Sequence, residues 1–392
     1  MERRSRLEWN VVPDDVYDKE ITMTTTVTII GAGLGGLTLA RVLHVNGIPS
    51  TVYEAEPSPT SRSQGGMLDI HQDTGQPALE AAGLLEQFGG IVLEGRQATR
   101  ALAIDGALLF DEPDDGTGGR PEAQRGELRQ LLLDSLPEGT VQWDHKVTGV
   151  ESLGDGRHEV RFADGGAVTT DLLVGADGAW SRVRPLLSDA TPEYIGTAFI
   201  ETYLFDGPTR HPASASAVGA GGMFALTPGK GIAAHHESGG TLHSYAALSK
   251  PLDWFDGLDL ADPAQTAREF DGWAPELTAL ITDTETAPVL RALHTLPLDH
   301  HWDRVPGVTL LGDAAHLMPP SGEGANLAMY DAAELGRALA ARPGDIEAAL
   351  TAYERALFPR SAAAANDAVE IHRLCYGDEA PYGLIAMLSG EE

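Results

Sequence analysis

An α/β chain is what this sequence predicts, from a glycine-rich turn between a strand and a helix, a strand-rich middle and an alanine-rich helical end. The turn comes first. Residues 26–30 are a short β-branched run, Gly31 to Gly36 are rich in glycine, and Leu37, Ala40, Val42 and Leu43 give the next stretch an apolar helical face that stops at Gly47. Residues 50–54 follow as a second β-branched strand. Strand, turn, helix and strand in that order form a βαβ unit, whose crossover makes the two strands parallel. Residues 125–136 (RGELRQLLLDSL) repeat apolar side chains at helical spacing, and 141–144, 159–162 and 168–174 alternate like strands. Several strand candidates broken by Gly and Pro lie between 197 and 248, which predicts a mainly antiparallel sheet. Residues 308–311 are continuously apolar, as in a strand buried on both faces, and 325–341 and 346–374 read as helices.

Size and charge set the outer limits. With 392 residues the chain exceeds the roughly 250–300 at which a single core stops growing, so two cooperating domains are expected. Hydrophobic residues at 42% and charged residues at 22% are globular proportions, which argues against a wholly disordered chain. Lys and Arg total 27 against 58 Asp and Glu, and a net charge of -31 would repel phosphate backbones and anionic lipid, so neither nucleic acid nor membrane is an expected partner. The lone Cys375 fits a reducing compartment, and a cytoplasmic monomer is the expectation. Residues 1–22 begin with Arg3-Arg4 yet lack an apolar core, and read as a flexible extension. Thirteen histidines include the pairs His235-His236 and His300-His301, but neighbours on a strand face opposite ways, and no metal site is expected.

Gly31-Ala32-Gly33-Leu34-Gly35-Gly36 matches G-x-G-x-x-G between strand and helix. Gly31 permits the tight turn, Gly33 lets backbone approach a pyrophosphate, and Gly36 lets helix pack on strand, with the helix N-terminus facing the phosphate charge. Glu54 ends the second strand, where a carboxylate can accept the hydroxyls of an adenosine ribose. Together they predict a Rossmann-type dinucleotide-binding domain; the loop itself serves NAD and FAD alike. Two further strand ends carry carboxylates. Leu173-Val174-Gly175-Ala176-Asp177-Gly178 runs into an Asp-Gly turn, and Leu311-Gly312-Asp313 precedes Pro319-Pro320, Gly322 and Gly324 ahead of a helix.

In series, these three stretches resemble the signature set of the FAD-dependent aromatic-hydroxylase type of flavoprotein monooxygenase. From about residue 27 to 353 the chain is most similar to the tetracycline-inactivating monooxygenases, on Arg62, Gly65-Gly66-Met67-Leu68-Asp69-Ile70-His71 and Gly75-Gln76. The resemblance implies FAD held by Gly31, Gly33, Gly36, Glu54, Asp69, Arg125 and Asp313. The helix start at Gly324-Ala325-Asn326 would face the ring's N1 and C2=O edge. It implies NADPH as co-substrate, contacted by Arg62, and hydroxylation of an aromatic or polycyclic molecule, such as a tetracycline-like antibiotic, with O2 through a C4a-hydroperoxyflavin. No protein nucleophile is needed and none is singled out. The implied domains are FAD-binding at 23–71, 95–190 and 296–340, substrate-binding at 72–94 and 191–295, and helical at 341–392.

The sequence departs from that group in places. Ala55 follows Glu54 where Arg is usual, and Glu323 stands where Gln is usual in a loop one residue shorter. Among implied substrate contacts, Glu201 replaces Gln and Gly222 replaces Arg, whereas His243 matches. A pocket selects through a few placed polar groups, so the departures bear on the substrate and leave the reaction class alone. Alternatives are a flavin halogenase or reductase, disfavoured for the former by the lack of a W-x-W-x-I-P segment, and a non-catalytic FAD-containing sequestration protein.

Overall fold

The computed structural model describes residues 26–61 and 65–390; the expectations for 1–22 and for Arg62 fall outside the described residues. A five-stranded sheet runs Val308–Leu310, Leu173–Gly175, Val27–Ile30, Ser50–Tyr53, Val141–Gln142, with every pair parallel. Val27–Ile30 at its centre is buried along its whole length, as a strand covered on both faces must be. Helices Leu34–Val45, Gly324–Ala340 and the first half of Ile346–Tyr376 contribute Leu37, Val42, Leu335, Leu350 and Leu357 to its core. A three-stranded meander, Val147–Gly154, Arg157–Phe162 and Ala167–Thr170, hangs beside it.

The second sheet has seven strands in the order Val289–Thr295, Glu193–Leu204, Leu242–Ser249, Lys230–His236, Gly222–Thr227, Thr99–Leu102, Leu108–Glu112. It is antiparallel except where Gly222–Thr227 pairs in parallel with Thr99–Leu102. Period-two alternation sorts its faces. Ala198, Ile200, Leu204, Leu242, Ala246, Ile232 and Ala234 pack on Leu277, Leu280 and Ile281 of helix Pro275–Thr282. The opposite face carries Glu201, Tyr203, His235, His243 and Tyr245, and Tyr203, His243, His235 and Gly222 lie in one row across four strands.

Two domain boundaries differ from expectation. Segment 72–94, expected with the substrate sheet, packs Ala78, Leu79, Leu84 and Phe88 into the first core, because helix Gly75–Ala81 lies against Gly324–Ala340. Thr99–Leu102 and Leu108–Glu112, expected in the dinucleotide domain, instead extend the seven-stranded sheet; edge pairing is set by which strand is left open, which local periodicity does not encode. The residues expected as strand 168–174 split into Ala167–Thr170 and Leu173–Gly175, in different sheets.

Helix Ile346–Tyr376 spans both units: Tyr353 sits in the first core, Ala365 and Ala368 meet Met318 and Leu327, and Leu374 meets Leu226 of the large sheet. Among the described residues no helix is long and apolar enough to cross a membrane, and no group of three His, Cys, Asp or Glu could hold a metal ion.

Candidate flavin and substrate site

The glycine loop has a division of labour that its Cβ positions reveal. A Cβ on Gly36 would sit 2.0 Å from the Gly31 carbonyl oxygen, and one on Gly31 would sit 2.4 Å from the Ala176 oxygen, with φ at +106° besides. These two glycines close the turn upon itself. A Cβ on Gly33 meets nothing within 4 Å, so the chain itself leaves open the space above Gly33, at the N-terminus of helix Leu34–Val45. Glu54 borders that space, its two oxygens fixed by the Ala32 N–H at 2.6 Å and the Glu56 N–H at 2.9 Å. Asp177 accepts the Arg182 N–H at 2.7 Å through Oδ2, while its buried Oδ1 finds no partner among the described residues, and burial raises its pKa. Asp313 starts the next short helix and is exposed. An open approach above Gly33, a helix N-terminus, an orphan carboxylate oxygen and an exposed strand-end carboxylate suit a bound FAD.

Asp69 lies on the two-stranded ribbon Met67–Asp69 with Glu122–Gln124. Its Oδ2 pairs with His71 Nε2 at 2.9 Å and with Arg120 at 2.9 Å, and His71 Nδ1 reaches Glu323 at 2.8 Å. Burial pushes the His71 imidazole down, but the hydrogen bonds to Asp69 and Glu323 outweigh it and carry it up to about 9. The same residue closes the two loops together: Asn326, wholly buried, accepts the His71 N–H at 2.9 Å and donates to the Asp69 carbonyl at 2.8 Å. Opposite Asp69, burial and the Asp69 charge lift the buried Glu122 to about 8. Gly324 and Ala325 begin helix Gly324–Ala340 in the first turn beside this clasp, and Arg125 begins Arg125–Asp134, its N–H donating to the Gly66 carbonyl at 3.0 Å.

On the large sheet, His243 is bonded through both nitrogens, Nε2 to Glu201 at 2.9 Å and Nδ1 to Glu237 at 2.8 Å. Tyr203 stacks on its ring at 4.1 Å between centroids and donates to Glu201 Oε1 at 3.1 Å. Arg291 grips Glu201 Oε2 at 2.7 and 3.0 Å. Burial alone would raise Glu201, yet the bonds from His243 and Arg291 bring it down to about 2, and the two carboxylates raise His243 against its burial. Burial first, then Glu201, raises Tyr203 and Tyr245. A cavity of about 310 Å³ opens beside this network, lined by Gly65, Gly66, Gln124, Gly126, Tyr203, Phe205, Glu237 and Thr286. Glu201 and His243 thus stand together one layer behind its wall, 5% and 1% exposed. Gly222 is brought to a different place: it lines a separate hollow of about 250 Å³ near Thr99 and Arg100, two strands from His243.

The family described as "FAD binding domain" matches residues 24–197 and 300–367, which hold the glycine loop, Glu54, Asp177 and Asp313. The chain belongs to this family of FAD-dependent aromatic-hydroxylase-type monooxygenases. Over 420 residues it is 32% identical to the monooxygenase asqM of Emericella nidulans, covering 88% of this chain and 93% of that one. It is 31% identical to an FAD-dependent urate hydroxylase of Klebsiella pneumoniae, covering 83% and 84%. The structure of Klebsiella pneumoniae HpxO with FAD and uric acid superposes with a TM-score of 0.78 at 25% identity, over 95% and 94% of the two chains. Tetracycline destructase Tet(51) shares the fold, at TM-score 0.71 and 19% identity, over 94% and 95%.

Sequence reasoning missed several residues of this monooxygenase. Arg129, 4% exposed, donates to the Ala32 carbonyl at 3.0 Å and to Pro59 at 3.0 Å, and lies over Trp143 at 5.4 Å; it braces the glycine loop from below where Ala55 brings no guanidinium. Asp331, wholly buried, accepts the Gly312 N–H at 3.0 Å, pairs with His316 at 2.5 Å and receives Arg360 at 2.8 Å, so it sets the backbone that carries Asp313. Arg184, which the sequence does single out after the Asp177-Gly178 turn, steadies the same loop through the Ala314 and Asp313 carbonyls at 2.8 and 3.3 Å. Such anchors are single charges in helical patterns, and only an unusual polar residue on an apolar face, as Asp331 is among Leu327, Ala332 and Leu335, signals them.

Proposed function

We propose that this monooxygenase uses NADPH and O2 to hydroxylate a planar aromatic or polycyclic small molecule held in the cavity beside Tyr203 and Phe205. The observation that carries the reading is that cavity: it is bounded by the Gly65-Gly66 loop and the Arg125 helix start, holds about 310 Å³, and has Tyr203 and Phe205 in its wall. The FAD-dependent relatives named above support a small aromatic ligand, since one is a urate hydroxylase and one relative's structure holds uric acid. Bound FAD supplies hydride acceptance and oxygen activation.

The chain's own residues would do the rest. Gly31, Gly33 and Gly36 with the N-terminus of Leu34–Val45 take the pyrophosphate, Glu54 the ribose, and Asp313 the ribityl chain. Gly324, Ala325 and Asn326 direct backbone N–H groups at the edge of the ring where negative charge gathers, with Asp69 and Arg125 alongside. The clasp of His71, Asp69 and Glu323 keeps the two loops together and water out. Arg62 gives charge to the coenzyme phosphates, and Glu201, His243 and Gly222 tune the substrate face. The lone cysteine and the acidic composition support a cytoplasmic monomer.

Protein purified without added cofactor should be yellow and release FAD, not FMN, on denaturation. Under anaerobic conditions NADPH should bleach it, faster with substrate present, and product masses from phenols, anthracyclines and tetracyclines should gain one oxygen. A flavin that NADPH leaves oxidised with every compound would make the chain a sequestration protein. Arg62→Ala should raise the NADPH requirement at unchanged FAD content; equal loss of FAD would reassign the residue.

A further inference from the structure

The polar groups of the cavity are not symmetric in what they have left to give. His243 spends both nitrogens on carboxylates, Tyr203 spends its hydroxyl hydrogen on Glu201, and Arg291 is turned to Glu201 Oε2. Gln124 spends its amide N–H on Ser238 at 2.7 Å. The Gly66 carbonyl takes the Arg125 N–H. Glu237 differs. It lines the cavity, its Oε1 holds His243 Nδ1 at 2.8 Å, and its Oε2 has no hydrogen-bond partner among the described residues. A carboxylate oxygen held in place on a residue that is 7% exposed and borders the cavity is positioned to take a ligand's donor in exchange for water.

The rings beside it limit what can bring that donor. Tyr203 and Phe205 lie nearly parallel, at 18° and 6.5 Å between centroids, and both border the cavity. A flat ring system can lie along them with its edge toward Glu237.

We infer that Glu237 is a specificity-determining residue that accepts a hydrogen bond from an O–H or ring N–H on the edge of the aromatic substrate, and that it turns away aromatic carboxylates. The inference rests on the reading that this cavity holds the substrate. A carboxylate guest would bring like charge against the open oxygen of Glu237, whereas a phenol or N–H heterocycle exchanges a water hydrogen bond for a charge-assisted one. Tethering of Oε1 by His243 keeps Glu237 in a single orientation, so the selection is by geometry as well as charge.

The test uses the FAD-loaded enzyme and three matched bicyclic probes: 2-naphthol, 2-methoxynaphthalene and 2-naphthoate, with Kd read from the perturbation of flavin absorbance. Naphthol should bind about tenfold more tightly than either of the others. In Glu237→Gln, which keeps an acceptor for His243 and should keep the flavin content, the naphthoate should gain about tenfold and the naphthol preference over it should vanish. Equal affinities in the wild type, no saturable naphthol binding, or a preference that survives Glu237→Gln would each overturn the inference. Phe205→Ala separates the two levels. If it weakens all three probes while Glu237→Gln changes no ratio, the cavity reading stands and the role of Glu237 falls. If neither variant alters any probe, the cavity is not the substrate's and both fall.

Discussion

Two glycines of one motif should behave differently when substituted. Gly33 has free space around its missing Cβ and an ordinary φ of -76°, so Gly33→Val should leave the apoprotein's unfolding midpoint nearly unchanged while FAD occupancy collapses. Gly36→Ala forces a Cβ to 2.0 Å from backbone and should cost about 3 kcal/mol of stability as well, read by denaturant titration. Both glycines stand out in the sequence; which of them serves the ligand and which the fold is visible only once the backbone closes. The His71 clasp makes a second prediction at this scale. Its imidazole is raised from 6.5 to about 9, so the stability it contributes is complete below pH 6.5 and is lost as pH rises through about 9. The shift corresponds to at most about 3 kcal/mol, reduced by the partial exposure of Glu323 and Arg120. Thermal midpoints of wild type and His71→Gln should therefore differ most near pH 6 and converge above pH 9; a constant difference would mean that His71 acts by packing alone. Glu122, raised from 4.5 to about 8, has the same sign, and Glu122→Gln should flatten the remaining decline between those values.

Among elements, helix Ile346–Tyr376 carries the most consequences. Its alanine-rich periodicity is plain in the sequence, but what it ties together is not, since its partners lie in the Gly312 loop and on the large sheet. Arg360 sits one residue past Pro359 and meets the buried Asp331, which in turn holds the Gly312 N–H. Removing Arg360 leaves a carboxylate that has only His316 to offset it. Arg360→Leu should cost about 2 kcal/mol, with the quarter-exposed guanidinium keeping the figure below that of a fully buried pair, and should weaken FAD retention at the Asp313 end. A chain cut after Pro359 should go further and lower the unfolding temperature, because Leu374 and Tyr376 no longer cover Leu226 and Gly231. Unchanged stability in that truncation, with only peroxide replacing product, would show the helix to be a shield and not a brace.

At the scale of the molecule, a net charge of -31 should oppose an anionic coenzyme. The Debye length falls from ~30 Å at 0.01 M to ~8 Å at 0.15 M salt. Across that range kcat/KM for NADPH should rise as repulsion is screened; a fall would mean that a local basic field, such as that of Arg62, governs encounter. The two sheets meet this charge differently. The parallel sheet buries its strands on both faces, whereas the large sheet turns Glu201, Glu237, His243 and Arg291 to one side and compensates them among themselves.

The βαβ start, the glycine loop, Glu54 at a strand end and the class of chemistry are legible in the residues alone, because each depends on short-range spacing: a turn, a helix N-terminus and the residue after a strand. So are the long C-terminal helix and most strands of the large sheet. Long-range packing is what places segment 72–94 in the first core, joins Thr99–Leu102 to the second sheet, sets Gly222 two strands along from His243 beside a separate hollow, and brings Arg129, Asp331 and Arg360 to the loops. Those outcomes depend on contacts between residues far apart in the chain, as where Asn326 reaches Asp69 across 257 positions. Hydrogen bonds and charges there are chosen by what the fold brings alongside, and no local pattern records the choice.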